Sequence, residues 1–141
     1  MYYVNREQIG VRLQAIPAIS EALRSLADQW SGSLIEGLAQ ERALHLAIET
    51  ITDVGSYLID GFIMRDASSY EDIIEIIGEE GAFPKELQEP FIALVKLRKP
   101  LVQDYYDWQR AELHPQSRIM AEQLLVFKTS VEQYIERELI G

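Results

Sequence analysis

The chain has 141 residues, 48% of them hydrophobic, and a formal net charge of −10, so it is the size of one ordinary domain and can bury a core without metal or disulfide staples. It has no cysteine, which excludes a thiolate nucleophile, a cysteine zinc site and a disulfide framework, and which fits a reducing compartment. Thirteen Lys and Arg against 23 Asp and Glu oppose loose, sequence-blind attachment to nucleic acid, because phosphate is repelled at long range.

The opening MYYVNREQIG lacks the apolar region of a signal peptide, and no apolar run approaches the roughly 20 residues needed to span a bilayer. The expectation is a cytoplasmic protein with no membrane partner, folded as a single domain over residues 1–141. Every long segment repeats its apolar residues at spacings of three and four, so the predicted class is all-α.

Asn5 with Gln8 forms a candidate capping box, with Val4 and Ile9 as the hydrophobic staple, and predicts a first helix from Arg6 to Trp30, kinked at Pro17. SGS at 31–33 breaks it. A second helix is predicted from Leu34 to Met64, with a core stripe of Leu44, Ala47, Ile48, Ile51, Val54, Gly55, Leu58, Ile59 and Phe62. A second face of that helix is polar: Arg42, His45, Glu49, Asp53, Ser56 and Asp60. DASSYEDIIEIIGEEG predicts a third helix, capped by Ser68 with Glu71, burying Tyr70, Ile73, Ile74 and Ile77 and ending at Gly78 and Gly81. A fourth opens at Pro84 and carries Leu87, Phe91, Leu94, Val95, Leu101 and Val102, with a kink or restart at Pro100. The fifth spans Gln116 to Leu139, with Ile119, Leu124, Phe127, Val131, Tyr134 and Ile135 facing the core. Short connections make successive helices antiparallel neighbours, hence an up-and-down bundle of four to five helices.

Charge is unevenly spread. Residues 66–89 hold eight acids and one base, and directly after them KLRKPLVQDYYDW, residues 96–108, opens with Lys96, Arg98 and Lys99 and no acid among them. A small local anion site is therefore expected in this stretch. On an ideal helix Arg98 and Tyr105 lie about 20° apart, whereas Arg98 and Gln103 lie about 140° apart. Arg98 and Gln103 can meet only if Pro100 distorts the helix or two subunits contribute.

The run from ERALHLAIETITDVGSYLIDGFIMRDASSYEDIIEII through FIALVKLRKPLVQDYYDW resembles the HepT-like members of the HEPN superfamily, small helical proteins often paired with a nucleotidyltransferase. The resemblance covers roughly residues 1–140, and its most specific parts are DVGSYLI, SYEDI and the arginine motif carried by Arg98, Gln103 and Tyr105. It implies a HEPN-like homodimer in which Arg98 stands for the arginine of a metal-independent ribonuclease site. Tyr105 matches the tyrosine that accepts AMP from a nucleotidyltransferase antitoxin. Gln103 stands where that motif has histidine, and Lys99 where asparagine is common.

The departure at Gln103 has chemical weight. Cleaving RNA without metal needs a group that exchanges a proton with the 2′-hydroxyl or the leaving oxygen, and a cation for the phosphorane. Arginine supplies the cation, but an amide does not titrate near neutral pH. Losing a general acid or base removes about 10²- to 10⁴-fold in rate, and His45 and His114 are the two histidines that can substitute. Two functions follow: a HepT-like RNA-cleaving or RNA-binding toxin component with weakened chemistry, or a non-catalytic helical module that binds a partner protein or a nucleotide. Neither reading calls for a cofactor. His45, Glu49 and Asp53 at i, i+4 and i+8 have a metal-like spacing, but one histidine with two carboxylates reads better as a polar groove with Arg42 and Arg98 as partners, so no metal is expected.

Overall fold

The computed structural model describes residues 2–140, and all of its regular structure is helical. The α-helices are α1 (Arg6–Leu13), α2 (Ile16–Gln29), α3 (Leu34–Gly61), α4 (Tyr70–Glu79), α5 (Gln88–Lys96) and α6 (Pro115–Ile140). With α1 and α2 counted as one interrupted arm they make a five-arm, up-and-down bundle. α3 is the central element, touching α1, α2, α4, α5 and α6, while α2 lies along α6.

The predicted first helix is two helices. Residues 14–15 form a turn and Pro17 sits in the first turn of α2. Proline has no N–H to give to the preceding turn but is at home where that donor would be unpaired, so it starts a helix here instead of kinking one. α3 stops at Gly61, three residues short of the predicted end. Its N-terminus carries a full capping box between Ser33 and Glu36, and the surrounding hydrogen bonds hold the Glu36 carboxyl down at about 2. The α4 cap is shifted by one residue: Ser69 accepts from the Asp72 N–H, while the Ser68 N–H and hydroxyl donate to the Asp72 carboxylate. Arg65 grips the same carboxylate with two bonds of 2.9 Å, which holds its pKa far below the usual range.

The core is one continuous cluster. All nine residues of the predicted α3 stripe are buried, as are Ile73, Ile74 and Ile77 of α4 and Leu124, Phe127 and Val131 of α6. Phe83, Phe91 and Phe127 meet there, the last two edge to face at 5.5 Å. At Gly55 the α3 and α4 backbones come so close that a Cβ would overlap Ile73 Cγ2, which sets how near α4 lies to the polar face of α3.

Two expected core residues are outside. Ile119 is exposed on α6, and Tyr70, at the first position of α4, is 44% exposed. Tyr70 continues the apolar spacing of Ile73, Ile74 and Ile77, but it falls at the end of the helix where the bundle has already stopped, so its ring finds a different partner.

Candidate functional site

The site is built where α3, α4 and the end of α5 meet. Arg42, His45 and Glu49 share one face of α3, at spacings of three and four that bring consecutive side chains together. Arg42 Nη1 lies 3.4 Å from His45 Nδ1, and His45 Nε2 lies 3.3 Å from Glu49 Oε1. The imidazole thus stands between a guanidinium on its Nδ1 side and a carboxylate on its Nε2 side. The same Glu49 oxygen is 3.8 Å from Arg98 Nε, so one carboxylate stands between the histidine and the arginine.

Arg98 itself is half-buried. Its Nε is shut away without a hydrogen-bond partner among the described residues, and its guanidinium carbon lies 4.3 Å from the centroid of the Tyr70 ring. The ring face attracts the cation and blocks one side of it. The side chain is thus aimed by an aromatic face and a carboxylate rather than fixed by a bidentate salt bridge, which leaves guanidinium N–H groups for a ligand. Arg42 and Arg98 against Glu49 make this groove locally positive on a chain whose net charge is −10, a place where a phosphate can be held.

The backbone after Arg98 departs from α-helix. Pro100 cannot donate to the turn before it and crowds the carbonyl of residue 96, so the chain widens into a π-turn over Lys99–Gln103, closed by the Asp104 N–H donating to the Lys99 carbonyl at 3.0 Å. A short 3₁₀ turn, Tyr105–Asp107, follows. The expected distortion at Pro100 is there, and it turns Gln103 to solvent, where its side chain makes no hydrogen bond with a described residue. Lys99 Nζ donates to Asp104 Oδ2 at 2.7 Å, and that partner raises its pKa. Tyr105 and Tyr106 stand 58% and 74% exposed, their rings edge to face at 5.7 Å.

Not all of the predicted polar stripe converges. Asp53 turns to α1, where its Oδ2 accepts from Arg12 Nε at 3.0 Å, and Arg12 also lies over the Tyr57 ring. His45, Glu49 and Asp53 therefore do not close on a common point, and the described residues contain no cluster of three metal-ligating side chains. Ser56 and Asp60 lie farther along, in the wall of a cleft beside the start of α4 that Tyr70 also lines.

His114 is remote from this groove. Its ring stacks on Trp108 with centroids 5.6 Å apart, its Nδ1 accepts from the Gln116 N–H at 3.0 Å, and burial pushes its pKa down. Gln40, buried in α3, fixes that loop by donating to the Glu112 carbonyl and accepting from the His114 N–H and the Ser117 hydroxyl. Of the two histidines, His45 is the one placed with Arg98. The residue that sequence reasoning missed is Tyr70, whose periodicity was that of a core side chain; its position next to a serine cap, at the very end of the apolar stripe, is the signal that it could point elsewhere.

A helical bundle carrying an arginine at a proline-distorted helix end, with a histidine–carboxylate pair beside it and two exposed tyrosines just beyond, is a definite class of protein. The family model described as "Ribonuclease HepT-like" matches residues 13–115, and the chain belongs to that family. It is 35% identical over 139 residues to the protein named "Putative RNase YutE" of Bacillus subtilis (strain 168), covering 99% of this chain and 95% of that one. The solved structure titled "Structure of Cytosolic Protein of Unknown Function YutE from Bacillus subtilis" superposes with a TM-score of 0.85 at 35% identity, over 99% of this chain and 96% of the other. No helix among the described residues is long and apolar enough to cross a membrane.

Proposed function

We propose that the protein is a HepT-like toxin component that cleaves or binds RNA at Arg98, with nuclease chemistry weakened by Gln103 and activity controlled by AMP transfer to Tyr105. The observation that carries this is the half-buried Arg98 guanidinium, aimed by Tyr70 and Glu49 and left with hydrogen-bonding capacity beside His45. Arg98 holds the scissile phosphate and stabilises the phosphorane. The 2′-oxygen attacks phosphorus, the 5′-oxygen leaves, and the products are a 2′,3′-cyclic phosphate and a 5′-hydroxyl. The proton taken from the 2′-hydroxyl is relayed through the His45–Glu49 pair to the leaving 5′-oxygen, since the Gln103 amide cannot carry it.

In the regulatory step a nucleotidyltransferase partner directs the Tyr105 hydroxyl to the α-phosphorus of ATP; the tyrosine oxygen gains AMP, the hydroxyl proton is released and pyrophosphate departs. The exposure of Tyr105 supports access by a second protein. A homodimer belongs to the same proposal. Exposed Leu34, Ile35 and Leu38 continue the Arg42–His45–Glu49 face toward the start of α3, an apolar stripe suited to a second copy.

Incubation with tRNA tests the nuclease reading: cleavage is expected to be slow, lost in Arg98→Ala and reduced in His45→Gln, and raised about 10²-fold or more in Gln103→His. Equal cleavage by the wild type and Arg98→Ala refutes Arg98 as the catalytic cation. Mass spectrometry after mixing with the partner and ATP tests the modification, and an adduct absent from both Tyr105 and Tyr106 refutes it. The alternative is a non-catalytic module that binds a partner protein or a nucleotide. It is favoured by Gln103 facing solvent with no proton to exchange, and a Gln103→His variant without cleavage supports it.

A further inference from the structure

The cleft beside the start of α4 has a volume of about 540 Å³, with Ser56, Asp60, Asp66, Tyr70 and Ile73 in its wall, a size within the range of specific ligand sites. Tyr70 joins it to the phosphate groove. The Arg98 guanidinium sits over the ring, 4.3 Å from its centroid, yet Arg98 takes no part in the cleft wall, and 44% of the tyrosine stays exposed. A ligand in the cleft therefore rests on the ring that also aims Arg98. The wall is set in advance: Ile63, a β-branched residue with a φ of 54°, turns the chain back after α3, and the Met64 N–H closes that turn on the Ile59 carbonyl at 2.9 Å. Arg65 then pins the segment before α4 through Asp72. The polar groups at the helix start are spent within the protein, Ser69 on the Asp72 N–H and Ser68 on the Asp72 carboxylate. Asp60 and Asp66 are exposed and have no hydrogen-bond or ion-pair partner among the described residues.

We propose that this cleft seats the guanine base of the RNA nucleotide whose phosphate Arg98 holds, with the base stacked on Tyr70 and its edge bonded to the carboxylates of Asp60 and Asp66. The proposal rests on the RNA reading of the Arg98 groove and adds the base that the groove prefers. Unpaired bases in single-stranded RNA are read by stacking on an aromatic ring and by hydrogen bonds to their edges. A base on the Tyr70 ring and a phosphate on the guanidinium beside it lie within the span of one nucleotide. The two sides of the ring differ in charge, and this fixes the orientation: the cationic side takes the phosphate, while the acidic side repels phosphate and accepts a neutral base. An ionised carboxylate only accepts hydrogen bonds. Guanine meets it with two adjacent donors, N1–H and the N2 amino group, whereas adenine, cytosine and uracil each set an acceptor beside the donor on that edge. The ring thus supplies affinity for any base, and the carboxylates supply the choice of guanine.

The test is a titration of the ¹⁵N-labelled full chain with the dinucleotides GpU, IpU and ApU, each 2′-O-methylated so that it cannot be cleaved. The backbone amides of Ser68, Ser69 and Tyr70 report the cleft, and the Arg98 Nε–H reports the phosphate. GpU is expected to move both sets and to bind about tenfold more tightly than ApU, since the hydrogen bonds at stake are to charged acceptors. IpU, which keeps N1–H and lacks the N2 amino group, is expected to fall between them. Asp60→Asn with Asp66→Asn, at exposed positions without partners in the fold, is expected to bring GpU down to the affinity of ApU and to leave ApU unweakened. Equal affinity for GpU and ApU, a guanine preference that survives in the double variant, or unmoved amides at residues 68–70 overturns the proposal; movement of Arg98 Nε–H in those cases leaves the phosphate reading standing. A guanine preference with movement at residues 68–70 and none at Arg98 supports the cleft and refutes Arg98 as the phosphate ligand.

Discussion

Removing the Tyr70 ring is the most direct perturbation of the groove, because it changes how Arg98 is held without touching its charge. The guanidinium carbon lies 4.3 Å from the ring centroid, well inside the roughly 6 Å range of a cation–π contact. Such contacts contribute about 0.5–1 kcal/mol when exposed and about 2 kcal/mol when desolvated, and the Arg98 side chain, 27% exposed, lies between these limits. About 1–1.4 kcal/mol is therefore at stake, equivalent to a roughly five- to tenfold loss of the aimed conformer. Tyr70→Ala is expected to speed exchange of the shielded Arg98 Nε–H by that factor in ¹⁵N-detected exchange, and to lower RNA cleavage or binding by a similar one. Tyr70→Phe keeps the ring face and is expected to behave as the wild type. Loss of equal size in both variants would assign the effect to the hydroxyl and refute the stacking argument, and no change of exchange in Tyr70→Ala would refute it outright.

Other outcomes follow from packing and charge. Phe127→Ala empties the centre of the three-phenylalanine cluster and is expected to cost about 3–5 kcal/mol; at about 0.3 kcal/mol per degree for a chain of 141 residues, calorimetry should show a Tm lowered by about 10–17 °C. Gln40→Ala strips partners from the Glu112 carbonyl, the His114 N–H and the Ser117 hydroxyl, so amide protection across residues 112–117 should fall before global unfolding is reached. Asp72 has its folded pKa depressed, first by Arg65 and then by the Ser68 N–H. Its contribution is complete above the unfolded carboxyl value near 4 and is lost as pH falls through the folded one. Asp72→Asn should therefore flatten the acid limb of a stability–pH curve, and an unchanged limb would contradict the ion-pair account.

The sequence carried the fold well because helical spacing reports burial directly. The α3 stripe from Leu44 to Phe62 is buried as its periodicity requires, and α6 begins and ends within a residue of its predicted limits. It failed where a local rule admits two outcomes. Proline breaks or begins a helix according to what precedes it, so Pro17 starts α2. Two adjacent serines can each cap, and it is Asp72 within reach of Arg65 that makes Ser69 the cap. Tyr70 satisfies the core spacing of α4, yet no element covers it there.

Residue types and spacing by themselves determined an acidic helical bundle, the distortion at Pro100, and the chemistry available at Arg98, Gln103, His45 and Tyr105. Tertiary structure decided which of these meet. Periodicity places a residue on a face, whereas the company it keeps depends on the angle and separation of the neighbouring helix. Here Gly55 sets that separation, admitting α4 close to α3. Tyr70 and Glu49 are thereby brought to Arg98 from two helices, Asp53 is given to Arg12, and His114 is turned to Trp108 and away from the groove.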